Sequence, residues 1–135
     1  MRLNPYSKYL FLQALMLPLV IAIFKLIPDR KTAALLAGSL FLLLCLGTFW
    51  NEARERKFQA KFFWAGGLQF FLLFALPILL LRLTHWEQPF GEITWGPIRA
   101  ADLHELSNKS YILWMVATLF EGYRSLLRAR NKKAL

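Results

Sequence analysis

The sequence predicts an all-α membrane protein, a bundle of four transmembrane helices arranged as two antiparallel hairpins with both termini in the cytoplasm. Three observations support this prediction: four long apolar stretches, the lack of any alternation with a period of two, and an uneven split of Lys and Arg between the two sides. Of the 135 residues 57% are hydrophobic, and the formal net charge is +9. We expect a single membrane domain over residues 1–135.

The four apolar stretches decide the type of secondary structure. Each holds 18 to 20 residues, and they cover residues 9–27, 32–50, 62–81 and 110–127. At about 1.5 Å per residue, a helix of this length crosses the roughly 30 Å hydrocarbon core of a bilayer. A soluble helix would keep one polar face, which these stretches lack. Because lipid offers the backbone no hydrogen bonds and the pattern of a β-barrel is missing, each stretch is predicted to be a helix.

Basic residues predict the orientation. With four crossings, 11 of the 17 Lys and Arg share one side with three acids, and the other six share the opposite side with five acids. Loops rich in Lys and Arg stay on the cytoplasmic side during insertion. Both termini and the 51–61 loop are therefore predicted to be cytoplasmic, and we expect the membrane to be the inner membrane of a bacterium.

Helices one and two are predicted to form the first hairpin. Gln13 and Pro18 interrupt helix one, and Pro18 predicts a kink because it cannot donate a backbone hydrogen bond. A short outer turn at Pro28 makes the two helices antiparallel neighbours. In helix two, Ala34 and Gly38 have the four-residue spacing that lets two helix backbones approach closely in lipid.

Helix three is similar to helix one in outline. It contains Gln69 and later Pro77, as helix one contains Gln13 and Pro18, and each helix ends near a basic residue on the outer side. A duplicated two-helix hairpin would explain this similarity, and so would the constraints that all membrane helices share.

The segments between helices are predicted to lie at the membrane surface. Glu52 and Arg56, at positions i and i+4, indicate a solvated and charged end of helix two. Residues 82–109 form the outer loop, within which residues 98–106 form a short interfacial helix. Helix four is the weakest span because Glu121 follows directly after its apolar run. Without this crossing, the carboxyl terminus would lie outside.

Intramembrane polar residues are the first candidate site. An ionisable group in hydrocarbon is costly, which draws attention to Glu121 in helix four. Arg124, three residues later on the same face, indicates an interfacial salt bridge with Glu121, against the alternative of a proton or cation site. Gln13, Gln69 and Thr118 supply the remaining polar groups, and their simplest role is hydrogen bonding between helices.

The basic tail over residues 128–135 is the second candidate. Its cations are Arg128, Arg130, Lys132 and Lys133. A cluster of Lys and Arg directly after a membrane helix is typical of contact with anionic lipids at the cytoplasmic face. We therefore predict the bilayer as the partner of this tail, and no nucleic acid.

Patterns of catalysis and metal binding are missing from the sequence. The outer loop carries His85, Glu87, Asp102, His104 and Glu105, but their spacing matches no metal signature. The sequence shows no Gly-rich phosphate loop and no Ser-His-Asp order, and its single cysteine cannot form a disulfide within the chain. We predict no enzyme, no cofactor and no metal; a zinc enzyme built on the two histidines is a minor alternative.

These features favour an accessory, scaffolding or assembly subunit of a larger membrane system. Such a subunit would bind other membrane proteins, or further copies of itself, through apolar helix faces. The alternative is a small oligomeric transporter or channel that uses the intramembrane polar residues. Because four helices of one chain enclose little water, that alternative requires at least a dimer.

Overall fold

The computed structural model describes residues 5–56, 59–89 and 92–134, and most of them are helical. The third helical stretch changes its winding in the middle, and a short hairpin precedes the last helix. In chain order the elements are α1 (Pro5–Leu26), α2 (Arg30–Arg56), α3 (Lys61–Phe70), a π-helical turn (Phe71–Ala75), α4 (Leu76–Thr84), β1 (Thr94–Trp95), β2 (Ile98–Arg99) and α5 (Ala100–Ala134). Arg2 and Lys57, which are counted among the cytoplasmic cations in the predicted orientation, and Leu135 of the predicted basic tail fall outside the described residues.

Three helical stretches are able to span a membrane. Among the described residues, Pro5–Leu26, Arg30–Glu55 and Lys61–Thr84 are long and apolar enough to do so. They include the first three predicted spans, except that α1 ends one residue early. Helix α5 is long but does not meet the same apolar requirement. The chain is thus compatible with an integral membrane protein.

The outer connection is shorter than predicted. Helix α4 continues to Thr84 and α5 begins at Ala100, so both ends of the predicted 82–109 loop are helical. The short helix predicted over residues 98–106 is not a separate element, because no proline follows Ala100 and the helix continues into α5. Strands β1 and β2 pair in antiparallel fashion around Gly96, whose φ of 62° suits a residue without a Cβ.

A proline accounts for the change of winding in the third stretch. Pro77 has no N–H group, so the carbonyl of Leu73 loses its usual helical donor. The π-helical turn Phe71–Ala75 contains this carbonyl and lies just before the proline. Pro18, in contrast, lies within a continuous α-helix. The two proline sites differ in structure, which gives no support to a duplicated hairpin.

Asp29 begins α2. Its carboxylate accepts a hydrogen bond from the Thr32 hydroxyl at 2.6 Å and another from the Lys31 amide at 3.2 Å. The side chain of Asp29 thus satisfies a free amide at the start of the helix. The hydrogen bond from Thr32 lowers the pKa of Asp29 below its usual value. This capped turn returns the chain so that α2 lies antiparallel to α1.

An aromatic cluster forms the core of the molecule. Phe63 and Trp114 are both fully buried in it. Phe63 stacks on Tyr9 with ring centroids 5.2 Å apart, and Trp114 stacks on Phe70 at 6.0 Å. These contacts join α1, α3 and α5, and offset ring pairs of this kind favour a fixed geometry.

Two glycines in α3 allow a close approach of helices. A Cβ placed on Gly66 would lie 3.1 Å from the Cα of Trp114, and one on Gly67 would lie 2.6 Å from the ring of Phe49. The spacing of Ala34 and Gly38 in helix two predicted a close approach of helices at Gly38. A Cβ placed there would lie 3.2 Å from the Cδ1 of Leu79, which belongs to a flexible side chain and not to a helix backbone. The close backbone contact is therefore between α3 and α5.

Candidate functional site

Gln13 lies fully buried between α1 and α5. Its Nε2 donates to the Thr118 hydroxyl at 2.9 Å, and its backbone carbonyl accepts from the Tyr111 hydroxyl at 2.6 Å. The Thr118 hydroxyl in turn donates to the carbonyl of Trp114 at 2.9 Å. The amide oxygen of Gln13 has no hydrogen-bond partner among the described residues. The structure thus brings two predicted site residues, Gln13 and Thr118, into direct contact.

Gln69 bonds to a different part of α5. Its Nε2 donates to the carbonyl of Ser110 at 3.1 Å and to the carbonyl of Gly66, in its own helix, at 3.0 Å. The first bond joins α3 to α5. Gln69 therefore acts separately from the pair formed by Gln13 and Thr118.

Glu121 caps the beginning of α3. Its side chain is almost fully buried, and Oε1 accepts a hydrogen bond from the Phe62 amide at 2.9 Å. Arg124 Nη1 lies 3.5 Å from the same oxygen, and its guanidinium lies over the Phe62 ring, 5.4 Å from the centroid. A helix N-terminus offers free amides and a positive dipole end, both of which favour a carboxylate. The amide contact was not evident from the sequence.

Glu52 is a site residue that sequence reasoning missed. The charged end of helix two was predicted to be solvated, but Glu52 is 0% exposed. Its carboxylate accepts hydrogen bonds from the Tyr6 hydroxyl at 2.6 Å and the Tyr9 hydroxyl at 3.0 Å. The prediction was wrong for Glu52, because two phenolic donors from α1 compensate for the loss of water, whereas Glu55 in the same helix end is exposed. The side chain of Arg56, its predicted partner, lies outside the described part of the chain.

A periodic signal in α2 could have identified Glu52. Cys45, Thr48, Phe49 and Glu52 occupy positions i, i+3, i+4 and i+7, and all of them are buried. Glu52 therefore continues the inward face of the helix past the apolar run. Two tyrosines near the start of α1 have the same spacing, which places both hydroxyls on one face.

Glu52 and Glu121 lie at the same end of the molecule. Tyr9, which bonds to Glu52, stacks on Phe63, while the adjacent Phe62 bonds to Glu121. Two buried carboxylates thus flank the beginning of α3. Each accepts hydrogen bonds from a neighbouring helix, so the arrangement joins helices.

The basic tail is a continuation of α5. Residues 128–133 are helical and exposed, so they do not form a separate tail. The cations predicted to contact anionic lipids are Arg128, Arg130, Lys132 and Lys133. They lie on the helix beyond Glu121, at the end that holds the two buried carboxylates.

The polar residues of the outer connection do not assemble into a metal centre. Among the described residues, no group of three or more His, Cys, Asp or Glu is placed to hold a metal ion. Asp102 accepts two hydrogen bonds from Arg99, at 2.9 and 3.2 Å, and His85 contacts the backbone of α4. Burial, and then the positive charge of Arg82, lower the pKa of His104 below its usual value.

A partly open cavity of about 230 Å³ lies at the end opposite the two carboxylates. Its walls come from α1, α2, the third helical stretch between Phe70 and Arg82, and α5, and most of the side chains that line it are apolar. Polar groups are found at one end of it, namely Arg82, His104, Ser107 and Asn108. We refer to this space as the Arg82 cavity. A second cavity, of about 170 Å³, lies between α1 and α5 near Tyr6.

Comparison of the chain with family models, with curated proteins and with solved structures finds no match.

Proposed function

We propose that this chain is an integral membrane protein that works as an accessory, scaffolding or assembly subunit of a larger membrane system. The observation that supports this role is that polar side chains in the interior form hydrogen bonds between helices. Gln13, Gln69 and Glu121 each bond to a neighbouring helix. Groups held in helix packing favour a structural role over a chemical one. The proposal includes no catalytic step, no cofactor and no nucleic acid.

The proposal also includes four membrane crossings, with both termini in the cytoplasm of a bacterium. Support comes from the course of α5. Glu121 bonds to Phe62 at one end of the third stretch, and the carbonyl of Ser110 accepts from Gln69 further along. Residues 110–127 would therefore cross antiparallel to the third span, shielded from lipid on that side. The cations beyond them would meet anionic headgroups.

Reporter fusions test this topology directly. Fusions placed after Lys31, Lys61, Lys109 and Leu135 are expected to report outside, inside, outside and inside in that order. An outside signal at Leu135 would remove the fourth crossing and place the basic segment on the other face.

Partners would bind to the apolar surface of the helices. Phe11, Leu43, Trp50 and Ile112 are all more than half exposed, and Trp50 reaches 74%. In a bilayer this surface meets acyl chains, helices of other membrane proteins or a second copy of this chain. Helix shape and dispersion contacts, more than charge, would then select the partner.

The experiment for this proposal measures assembly and transport in the same variants. Glu121→Ala, Gln13→Ala and Gln69→Ala are expected to lower the yield of the complex extracted in mild detergent, because each weakens a contact between helices. Glu55→Gln serves as the control, since Glu55 is exposed. Ion flux in reconstituted vesicles is expected to be the same for all four variants. Loss of flux in Glu121→Gln, with the yield of the complex unchanged, would refute the proposal.

A second candidate is a small oligomeric transporter or channel. Two observations favour it: the fully buried carboxylate of Glu52, and the amide oxygen of Gln13, which has no partner among the described residues. Ionisable groups in a membrane domain often mark an ion or proton path. Because one chain encloses little space, this candidate requires at least a dimer. Transport activity in a strictly monomeric protein would exclude the oligomeric transporter described here.

A further inference from the structure

The Arg82 cavity has an apolar body and a polar end. Leu17, Phe41 and Ile112 are among the apolar residues that line it, and Arg82 and Asn108 lie at the polar end. Amphiphilic molecules have the same division into an apolar and a polar part. The cavity therefore matches a ligand that consists of a hydrocarbon chain and a polar head.

Small residues of α2 create the space. Ala34, Ala37 and Gly38 line the cavity where larger side chains would fill it. A Cβ on Gly38 would lie 3.2 Å from the Cδ1 of Leu79, on the facing wall. At Gly38 the two walls therefore come close together, and the space lies beside Ala34 and Ala37.

The length of the cavity corresponds to one leaflet of a bilayer. Along the third stretch it extends from Arg82 to Phe70, which is about 18 Å at about 1.5 Å per residue. One leaflet supplies roughly 15 Å of hydrocarbon. The volume of about 230 Å³ is larger than the ~150 Å³ that is enough to bind benzene in an apolar protein cavity. These dimensions suit one acyl chain that lies along the helices.

Charge at the polar end determines which headgroup fits. The Arg82 side chain is half-buried and carries five N–H donors in a planar fork, so it can keep its contacts within the protein and still bind a pair of phosphate oxygens. None of the described residues that line the cavity is acidic. The ammonium group of a zwitterionic headgroup would find no carboxylate there. The site therefore favours an anionic headgroup.

We propose that the Arg82 cavity binds an anionic phospholipid of the surrounding leaflet, with one acyl chain between α1, α2, the third helical stretch and α5 and the phosphate at Arg82. This site is distinct from the exposed cations at the end of α5, which lie at the opposite end of the molecule. The inference does not depend on the proposed accessory role.

The test titrates the purified full-length protein with dioleoyl phosphatidylglycerol or dioleoyl phosphatidylcholine and counts bound lipids by native mass spectrometry. Phosphatidylglycerol is expected to bind more tightly. Arg82→Gln is expected to weaken that binding by about tenfold, the equivalent of one lost charge-assisted hydrogen bond. Gly38→Leu is expected to abolish it by filling the cavity.

Each variant has a matched control. Gly47 is in the same helix as Gly38, but a Cβ there meets nothing within 4 Å, so Gly47→Leu is expected to leave binding unchanged. Lys109 is an exposed cation close to the polar end in sequence but does not line the cavity, so Lys109→Gln is also expected to have no effect. Equal binding of the two lipids, or equal losses in variants and controls, would overturn the proposal.

A second measurement on the unmodified chain guards against variants that fold poorly. Phosphatidylglycerol with a photoreactive group in its acyl chain is expected to label peptides that contain Phe70, Ala75 or Ile112. Labelling confined to residues outside the cavity would overturn the proposal even if every variant loses binding.

Discussion

Glu52 is the residue whose surroundings differ most from those of a charge in water. An unpaired buried carboxylate would cost several kcal/mol, so the two tyrosine hydroxyls of α1 are needed to hold it there. The carboxylate in turn fixes the position of α1 against α2. A polar group that was predicted to face solvent therefore works as a link between two helices.

Replacing Glu52 tests this role. In Glu52→Gln an amide NH₂ takes the place of one acceptor oxygen, so one tyrosine hydroxyl loses its carboxylate acceptor. We expect a loss of about 1.5–3 kcal/mol in the free energy of unfolding, measured by denaturation of the purified protein in detergent. Glu55→Gln, at an exposed position of the same helix, is expected to change it by less than about 0.5 kcal/mol. Equal effects of the two substitutions would contradict the structural role of Glu52.

The hydrogen bond between Gln13 and Thr118 can be tested in the same way. A double-mutant cycle with Gln13→Leu and Thr118→Val is expected to give a coupling energy of about 0.6 kcal/mol and at most about 1.7 kcal/mol. The bond from Tyr111 reaches the backbone of Gln13 and survives both substitutions. A coupling energy of zero would mean that the two side chains do not interact.

Single residues were predictable only where the sequence shows a polar group within an apolar run or directly after it. Gln13 and Gln69 have apolar residues on both sides, and Glu121 is the first residue after the apolar run of helix four. Glu52 follows the apolar run among other charges, and only its register on the helix distinguishes it from the exposed Glu55. The partners of all these groups come from distant parts of the chain, which the sequence alone does not place.

At the scale of elements, α3 depends on α5 for its first turn. Glu121→Ala removes the acceptor for the Phe62 amide and is expected to lower the free energy of unfolding by about 1 kcal/mol, as the loss of a helix cap does. Arg124→Gln is expected to have a much smaller effect, since its nearest contact to Glu121 is 3.5 Å and its side chain is one-third exposed. Thermal unfolding of the two variants in the same detergent measures both. A larger loss for Arg124→Gln would make the salt bridge, and not the cap, the main contact.

Substituting Gly67 in α3 tests the helix packing, and Gly47 in α2 is the control. A methyl group on Gly67 would lie 2.6 Å from Phe49 and 2.9 Å from Trp114 Nε1, so Gly67→Ala is expected to destabilise the protein by about 1–3 kcal/mol. Gly47→Ala meets no atom, and is expected to stabilise α2 by about 0.5–1 kcal/mol. The unfolding midpoints of the two variants should therefore move in opposite directions. A stable Gly67→Ala protein would show that α3 is not packed against α2 and α5 as described.

The sequence was sufficient to predict helices where apolar residues are continuous. It was not sufficient to predict where a helix begins among polar residues or where its winding changes. The first three spans agree with the structure because hydrophobic length alone defines them. Helix α5 begins at Ala100, within the predicted loop, since the polar residues there are as compatible with an α-helix as with a loop. The π-helical turn before Pro77 depends on how the chain repairs a missing hydrogen bond, and the identical residue type at position 18 leaves a continuous helix.

At the scale of the whole molecule, the two ends differ in chemistry. One end holds the buried carboxylates Glu52 and Glu121 and the exposed cations of α5, while the other holds the Arg82 cavity. Between them the described core is mainly aromatic and contains few polar groups. In a bilayer, this difference between the ends would favour one orientation of the chain. A defined orientation and the exposed apolar side chains of the helices would suit the accessory role that we propose.

The mass and composition of the intact assembly, extracted in mild detergent from the native membrane, test that role most directly. The accessory role predicts a complex in which this chain occurs in fixed proportion with other membrane proteins, and in which Glu121→Ala lowers the yield. A homo-oligomer with no other subunit would contradict it and would favour transport, with Glu52 and Glu121 as the first residues to replace in a flux measurement.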